Sequence, residues 1–276
     1  MTLDRQRRPE ISGATGLLTP SRWTWEPFAI PVLLLASIIT PHIVLPALLA
    51  VPASLIFVMS VGRWASWRQR PRQDQGHPLT TSSPVGPGWT VVRGPLPGLR
   101  PHTTHLLAQT YAMDLLPAER LSATRSTHRH NRLVGLPSPD RFAAFGSPLH
   151  APAAGQVTSA VDVLRDHRAY ASLLGLLLWS IQQFVPRSFL GARGILGNHL
   201  IINTEDRYLL LAHLQRGSCE VAAGDWVTEG QLVARCGNSG NSTEPHLHIQ
   251  AMNGPNIWKA HGLPLHFTPP SALPSE

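Results

Sequence analysis

The chain has 276 residues, 43% of them hydrophobic, and carries 23 Lys and Arg against 16 Asp and Glu for a formal net charge of +7. That length gives room for one domain of ordinary size with a real core, plus an appended segment. A basic surface favours polyanions in general, but no aromatic-interleaved basic patch, zinc-finger spacing or RNA-binding signature is present, which leaves nucleic acid out of the expected partners.

Residues 1–22 are polar and basic, with Arg5, Arg7, Arg8 and Arg22 and no apolar period, and are predicted to be a disordered tail. From 23 to 62 the chain is almost purely apolar, with Glu26 at one edge and His42 in the middle. A spanning helix takes about 20 apolar residues, so this run suffices for one span, or for two short helices turning at Thr40-Pro41-His42. It is too long for the apolar core of a cleaved signal peptide. The expectation is a membrane anchor in contact with lipid. Arg22 precedes the run and Arg63, Arg68, Arg70 and Arg72 follow it, a distribution that favours both ends on the cytoplasmic side. Residues 63–88, rich in Pro, Gly, Ser and Gln, read as a linker.

From Trp89 onward short β-like runs alternate with turn residues, and the spacing predicts a mainly β domain over 89–262, an antiparallel sheet of sandwich-like build. One stretch, Ala169 to Phe184, has helical composition between two strand-like segments, and marks a helical insertion at about 165–195. Residues 263–276 read as a Pro-rich tail. The only two cysteines, Cys219 and Cys236, flank what reads as one hairpin, and their spacing alone neither requires nor forbids a disulfide.

The chemistry-bearing residues fall within the predicted β domain. In Pro245-His246-Leu247-His248-Ile249-Gln250, strand alternation puts His246 and His248 on one face and Leu247 and Ile249 on the other. Two imidazoles so placed can share a metal or a water. Taken alone, such a pair is more often surface decoration. His213 falls in the otherwise apolar run Tyr208 to Leu214, and Asp114 follows a loop that holds His102 and His105. His128 and His130 repeat the spacing in an Arg-rich stretch without strand character, and are read as solvent-exposed. His150 and His199 are candidates to line a groove.

Together these motifs resemble the lysostaphin or LytM-type zinc metallopeptidases, metallopeptidase family 23, which hydrolyse peptide cross-links in bacterial cell walls. The resemblance covers Val91 to Met252 and is strongest from Gly197 to Gln250, where GNHLII, LLLAHLQRGSCEV, AAGDWVTEGQLVARCGNSGNST and PHLHIQ follow the family's order and turn glycines. It implies one Zn²⁺ per chain held by His105, Asp114 and His248, with His102 the alternative first ligand. His213 and His246 would then be the unligated histidines that orient and deprotonate water. The family's commoner branch has its first ligand four residues before the Asp, and that position is Thr110 here. The implied substrate is a peptidoglycan peptide, reached by a domain facing outward from a bacterial cytoplasmic membrane. That placement conflicts with the flanking arginines unless the anchor is a single span with its N-terminus inside. A ligand-poor relative that binds the wall and activates another hydrolase, or a peptidase with a protein substrate, are the alternatives.

Overall fold

The computed structural model describes residues 56, 57, 59–71, 78–102, 104–119, 135–184, 191–205 and 207–268. The chain divides into two compact units, residues 1–62 and 63–276. In the first, residues 56, 57 and 59–62 are helical. Most of the expected anchor, the expected N-terminal tail and His128 and His130 lie outside the described residues. Among the described residues no helix is long and apolar enough to cross a membrane.

The second unit is built on an eight-stranded sheet. Its strands are β2 (Trp89–Arg93), β3 (Met113–Pro117), β5 (Gly155–Val161), β6 (Asn198–Thr204), β7 (Arg207–Leu214), β8 (Trp226–Val227), β10 (Leu247–Met252) and β11 (Gly262–Leu263). The order is β2-β3-β10-β7-β6-β5-β8, with β11 on β10, and every pairing within it is antiparallel. A second, two-stranded sheet pairs β4 (Pro148–His150) with β9 (Leu232–Arg235). The mainly β antiparallel expectation is met. The β6–β7 hairpin closes on Thr204 opposite Arg207, and the two-residue loop holds Glu205 at φ 61, the left-handed geometry such tight hairpins require.

Strand alternation gives the sheet two unlike faces. One buries Met113, Leu115, Leu200, Ile202, Leu209, Leu211, Leu247 and Ile249 in the main apolar core, against Leu149, Val233 and Ala234 of the small sheet. The other carries Ile201, Leu210, Ala212 and Met252 into a smaller core with Leu107, Ala108, Leu196 and Ile257. Asp114, His248 and Gln250 belong to this second face, because they alternate with residues of the main core.

Among its described residues the insertion contains two helices, α1 (Leu173–Phe184) and α2 (Gly191–Leu196). Leu173, Leu174, Leu176 and Leu177 of α1 are exposed, whereas Ala192 and Leu196 of α2 pack into the second-face core.

Two expected boundaries come out differently. Residues 63–68 are helical, and within the expected linker Gln69 is buried and Leu79–Thr81 forms β1. β1 pairs in parallel with β12 (Leu265–Phe267), which lies in the expected Pro-rich tail. Periodicity is invisible in three-residue strands, and that is why the sequence reads both as connecting chain. Cys219 and Cys236 are free thiols, and burial beside Asp162 pushes the Cys219 thiol up to about 12.

Candidate metal centre

β3 and β10 run antiparallel with Asp114 directly opposite His248, and this register alone brings a carboxylate and an imidazole together. His248 Nδ1 lies 2.8 Å from Asp114 Oδ1. His246, two residues earlier, places Nε2 3.6 Å from the same oxygen. The HxH face read from the sequence is therefore present and turned inward.

His213 reaches this face by a different route. In a regular strand it would follow Ala212 onto the main-core face, which Leu214 occupies. Instead the β6–β7 register shifts, Asn198 facing Leu214 and His199 facing Ala212, so that His213 is the extra residue of a β-bulge. Its φ of 63 lies in the left-handed region, a strain of about 1–3 kcal/mol for a non-glycine residue. The bulge aims the ring at the cluster: its centroid is 4.9 Å from that of His246 and 5.7 Å from that of His248. Ser239 and Asn198, both fully buried, hold the geometry. His213 Nδ1 donates to the Ser239 carbonyl at 3.0 Å, and the Ser239 hydroxyl donates to Leu214 O and accepts from Asn198 N. The glycines of the turn are required here: a Cβ on Gly240, at φ 70, would collide with the backbone nitrogen of Gly197.

The first histidine differs from expectation. His102, not His105, stands beside Asp114, its Nε2 3.4 Å from Oδ1 and its ring 5.2 Å from that of His248. The 3₁₀ segment Leu106–Tyr111 starts immediately after His105 and draws that residue into the loop's own bonding. The His105 backbone N–H donates to Ser66 Oγ, and its Nδ1 pairs with Thr110 Oγ1 at 2.9 Å. Thr110, where the commoner family pattern has a ligand, thus holds His105.

Among the described residues, His102, Asp114 and His248 form a group whose ligating atoms lie within 4.8 Å of one another. His102 Nε2 is buried and makes no hydrogen bond. An orphaned imidazole nitrogen, a carboxylate and a second imidazole nitrogen converging on one point fit a divalent cation of borderline softness such as Zn²⁺, and leave its fourth position open.

The electrostatics are those of a site built around one anion. Burial alone would push Asp114 up, but the charge of His246 and the nearby His102 and His248 outweigh it and hold its carboxyl well below the usual range. Burial pushes His248 down, yet the hydrogen bond and charge of Asp114 win and raise it. Burial lowers His102, against the pull of Asp114. His213 lies well below the ordinary imidazole range because it is buried beside His246 and His248, so it is neutral at neutral pH. Of the two histidines expected to line a groove, His199 is buried in β6, where it is pushed down to about 4 by burial and bonded through Nδ1 to Gly197 O. His150 lies in β4, in the small sheet.

Residues 185–259, which include His213, His246 and His248, match the model of peptidase family M23. The resemblance is to that family. The match is to a family of peptidases, over about a quarter of the chain. M23 peptidases are zinc metallopeptidases, in keeping with the donor set.

Among solved structures, the chain is 17% identical to a zinc-containing peptidase from Vibrio cholerae, with 67% of this chain and 39% of that one covered and a TM-score of 0.34. It is 18% identical to a point-mutant form of the catalytic domain of the prophage-encoded M23 protein EnpA from Enterococcus faecalis, covering 67% of this chain and 94% of that one at a TM-score of 0.36. The lysostaphin catalytic domain from Staphylococcus simulans gives 17% identity, 63% and 86% coverage and a TM-score of 0.34. Likenesses of that level bear on neither substrate nor mechanism, and the chain spans well under half of the V. cholerae protein.

Proposed function

We propose that this protein is a membrane-anchored zinc metalloendopeptidase that hydrolyses peptide bonds in bacterial peptidoglycan, in stem peptides or cross-bridges. The observation that carries the reading is the buried, unbonded Nε2 of His102 converging with Asp114 and His248 while two further histidines stand beside them. His102, Asp114 and His248 hold the metal, replacing the expected set with His105. Bound zinc supplies a Lewis acid and lowers the pKa of water to about 7.

The protein's own groups do the rest. His213 donates its Nδ1 proton to the Ser239 carbonyl, which leaves Nε2 with a lone pair. His246 donates Nδ1–H to Glu244 O at 2.7 Å, leaving its Nε2 likewise free on the side of Asp114. Two imidazoles whose Nδ1 atoms are engaged by backbone carbonyls and whose Nε2 atoms are left over can orient water, take its proton and return one to the leaving amine. Anchoring through residues 23–62 accords with the exposed Trp64 and Trp67 and with Arg63, Arg68 and Arg70 beside them, the composition of a membrane-interface belt. The domain then faces outward from a bacterial cytoplasmic membrane, with a single span and the N-terminus inside.

The test is elemental analysis of the purified chain followed by digestion of isolated cell walls and identification of the newly exposed amino termini. About one zinc per chain and chelator-sensitive release of new termini is expected. Zinc without wall cleavage would move the substrate to a protein. A chain without metal would be a non-catalytic module.

A further inference from the structure

His248 is held from both sides. Its Nδ1 faces Asp114, and its Nε2 lies 3.1 Å from Oε1 of Gln250, which is fully buried. The orientation of the Gln250 amide is fixed, because its Nε2 donates at 2.7 Å to the carbonyl of Leu107, a group that can only accept. Oε1 must therefore receive a proton from His248 Nε2, while Nδ1 lies 2.8 Å from a carboxylate oxygen. An imidazolium that donates from both nitrogens satisfies both acceptors, and when a metal replaces the Nδ1 proton the Nε2–H stays on Gln250.

The chain of bonds continues. Leu107, itself strained at φ 58, donates its N–H at 2.8 Å to Oε1 of Gln69. The Gln69 amide is equally unambiguous, since its Nε2 donates to Ile257 O and Ala260 O. Gln69 O in turn accepts from His261 Nδ1. One helical turn earlier, Ser66 Oγ accepts from the backbone N–H of His105, in the loop that supplies His102. Residues 66–69 thus grip the ligand loop on one side, while Trp64 and Trp67 are exposed.

We propose that Gln250 and Gln69 are positioning residues of the metal centre: with the Leu107 peptide between them they form a buried hydrogen-bonded relay. The relay fixes His248 with Nδ1 toward the metal and ties that orientation to the segment that follows the apolar N-terminal run. The inference rests on the metal reading above. Partners that orient ligating histidines contribute about 10–100-fold to metal affinity. The site's affinity is thereby set in part by residues that contribute no ligand and lie more than thirty positions before the first one, so that displacing residues 66–69 loosens the metal.

The full-length chain carries the test, with zinc affinity read by chelator competition and ligand geometry by the visible spectrum of the Co²⁺-loaded protein. Gln250→Met, which keeps the volume and loses both bonds, is expected to weaken zinc about 10–100-fold and shift the Co²⁺ bands. Gln69→Met is expected to give a smaller loss, roughly tenfold, with the bands moved in the same sense. Gln250→Glu keeps the acceptor for His248 Nε2 but loses the donor to Leu107 O, and should recover only part of the affinity. A merely structural role would lower the melting temperature of the metal-free variants and leave affinity and spectrum unchanged, which overturns the proposal. Loss in Gln250→Met with none in Gln69→Met overturns the link to residues 66–69. Should Gln250→Met not fold, Gln69→Met decides by the same readouts. Absence of zinc from the wild-type chain would instead remove the metal reading itself.

Discussion

The two faces of the large sheet are made by the same strands and share the same register, yet they differ in kind. One buries a continuous run of apolar side chains, among them Leu115, Leu200, Leu211 and Ile249, with polar Asn198 at its end. The other buries Asp114, His199, His248 and Gln250 within the same few strands, and each of these has a hydrogen-bond partner. Burying polar groups costs free energy that apolar residues of similar size would not cost. Their concentration on one face, around one orphaned nitrogen, separates what the sheet does for folding from what it does for chemistry.

Exchanging a residue on either face tests that division. Asp114→Asn should reduce wall hydrolysis by about 10³-fold or more, equivalent to roughly 4 kcal/mol of transition-state stabilisation, while far-UV circular dichroism stays that of the native fold; retention of both zinc and activity would undo the assignment. On the other face, Leu200→Ala should cost about 2–5 kcal/mol in denaturant unfolding and leave the zinc affinity of the molecules that remain folded unchanged.

His199 gives the next largest effect. In the fold its ring stays neutral down to about pH 4 because burial opposes its charge, whereas the unfolded chain takes up the proton near 6.5. The unfolded state therefore binds more protons in that window, and stability fully present above pH 6.5 is lost as the pH falls toward 4, by about 3 kcal/mol. Comparing unfolding of the wild type and His199→Gln across that window isolates the contribution, which should vanish in the variant.

The smallest effect belongs to the loop. His105→Ala should leave zinc affinity within about threefold, whereas His102→Ala should fall by the 10–100-fold or more that a lost interaction at the metal brings. The reverse ranking in chelator competition would restore the assignment read from the sequence.

What the sequence shows here follows the range of its signals. The inward face of His246 and His248 is a period-two property of one strand, and β10 bears it out. Asp114 is legible as an acid at the start of an apolar run. His213 is legible as an anomaly in β7, but its direction is not, because the bulge that turns it depends on the partner strand and on the buried Ser239. The choice between His102 and His105 turns on a loop that has no period and contains two left-handed residues, Leu107 and Ala108. Gln69 was out of reach for the same reason: a composition rich in Pro and Gln reads as linker, and only tertiary contacts reveal its bonds to Leu107, Ile257 and Ala260.

The pairing of β1 with β12 has a consequence for when the molecule can finish folding. Leu79 lies opposite Leu265, and Thr268 N donates to Thr81 O, so the first and last strands of the domain clasp each other. Contacts of such long sequence separation form late, after the intervening loop has been closed. As the chain emerges from the ribosome, β1 must wait for β12 before its edge is covered. The β1–β12 edge therefore closes only after the whole of the intervening domain has been made.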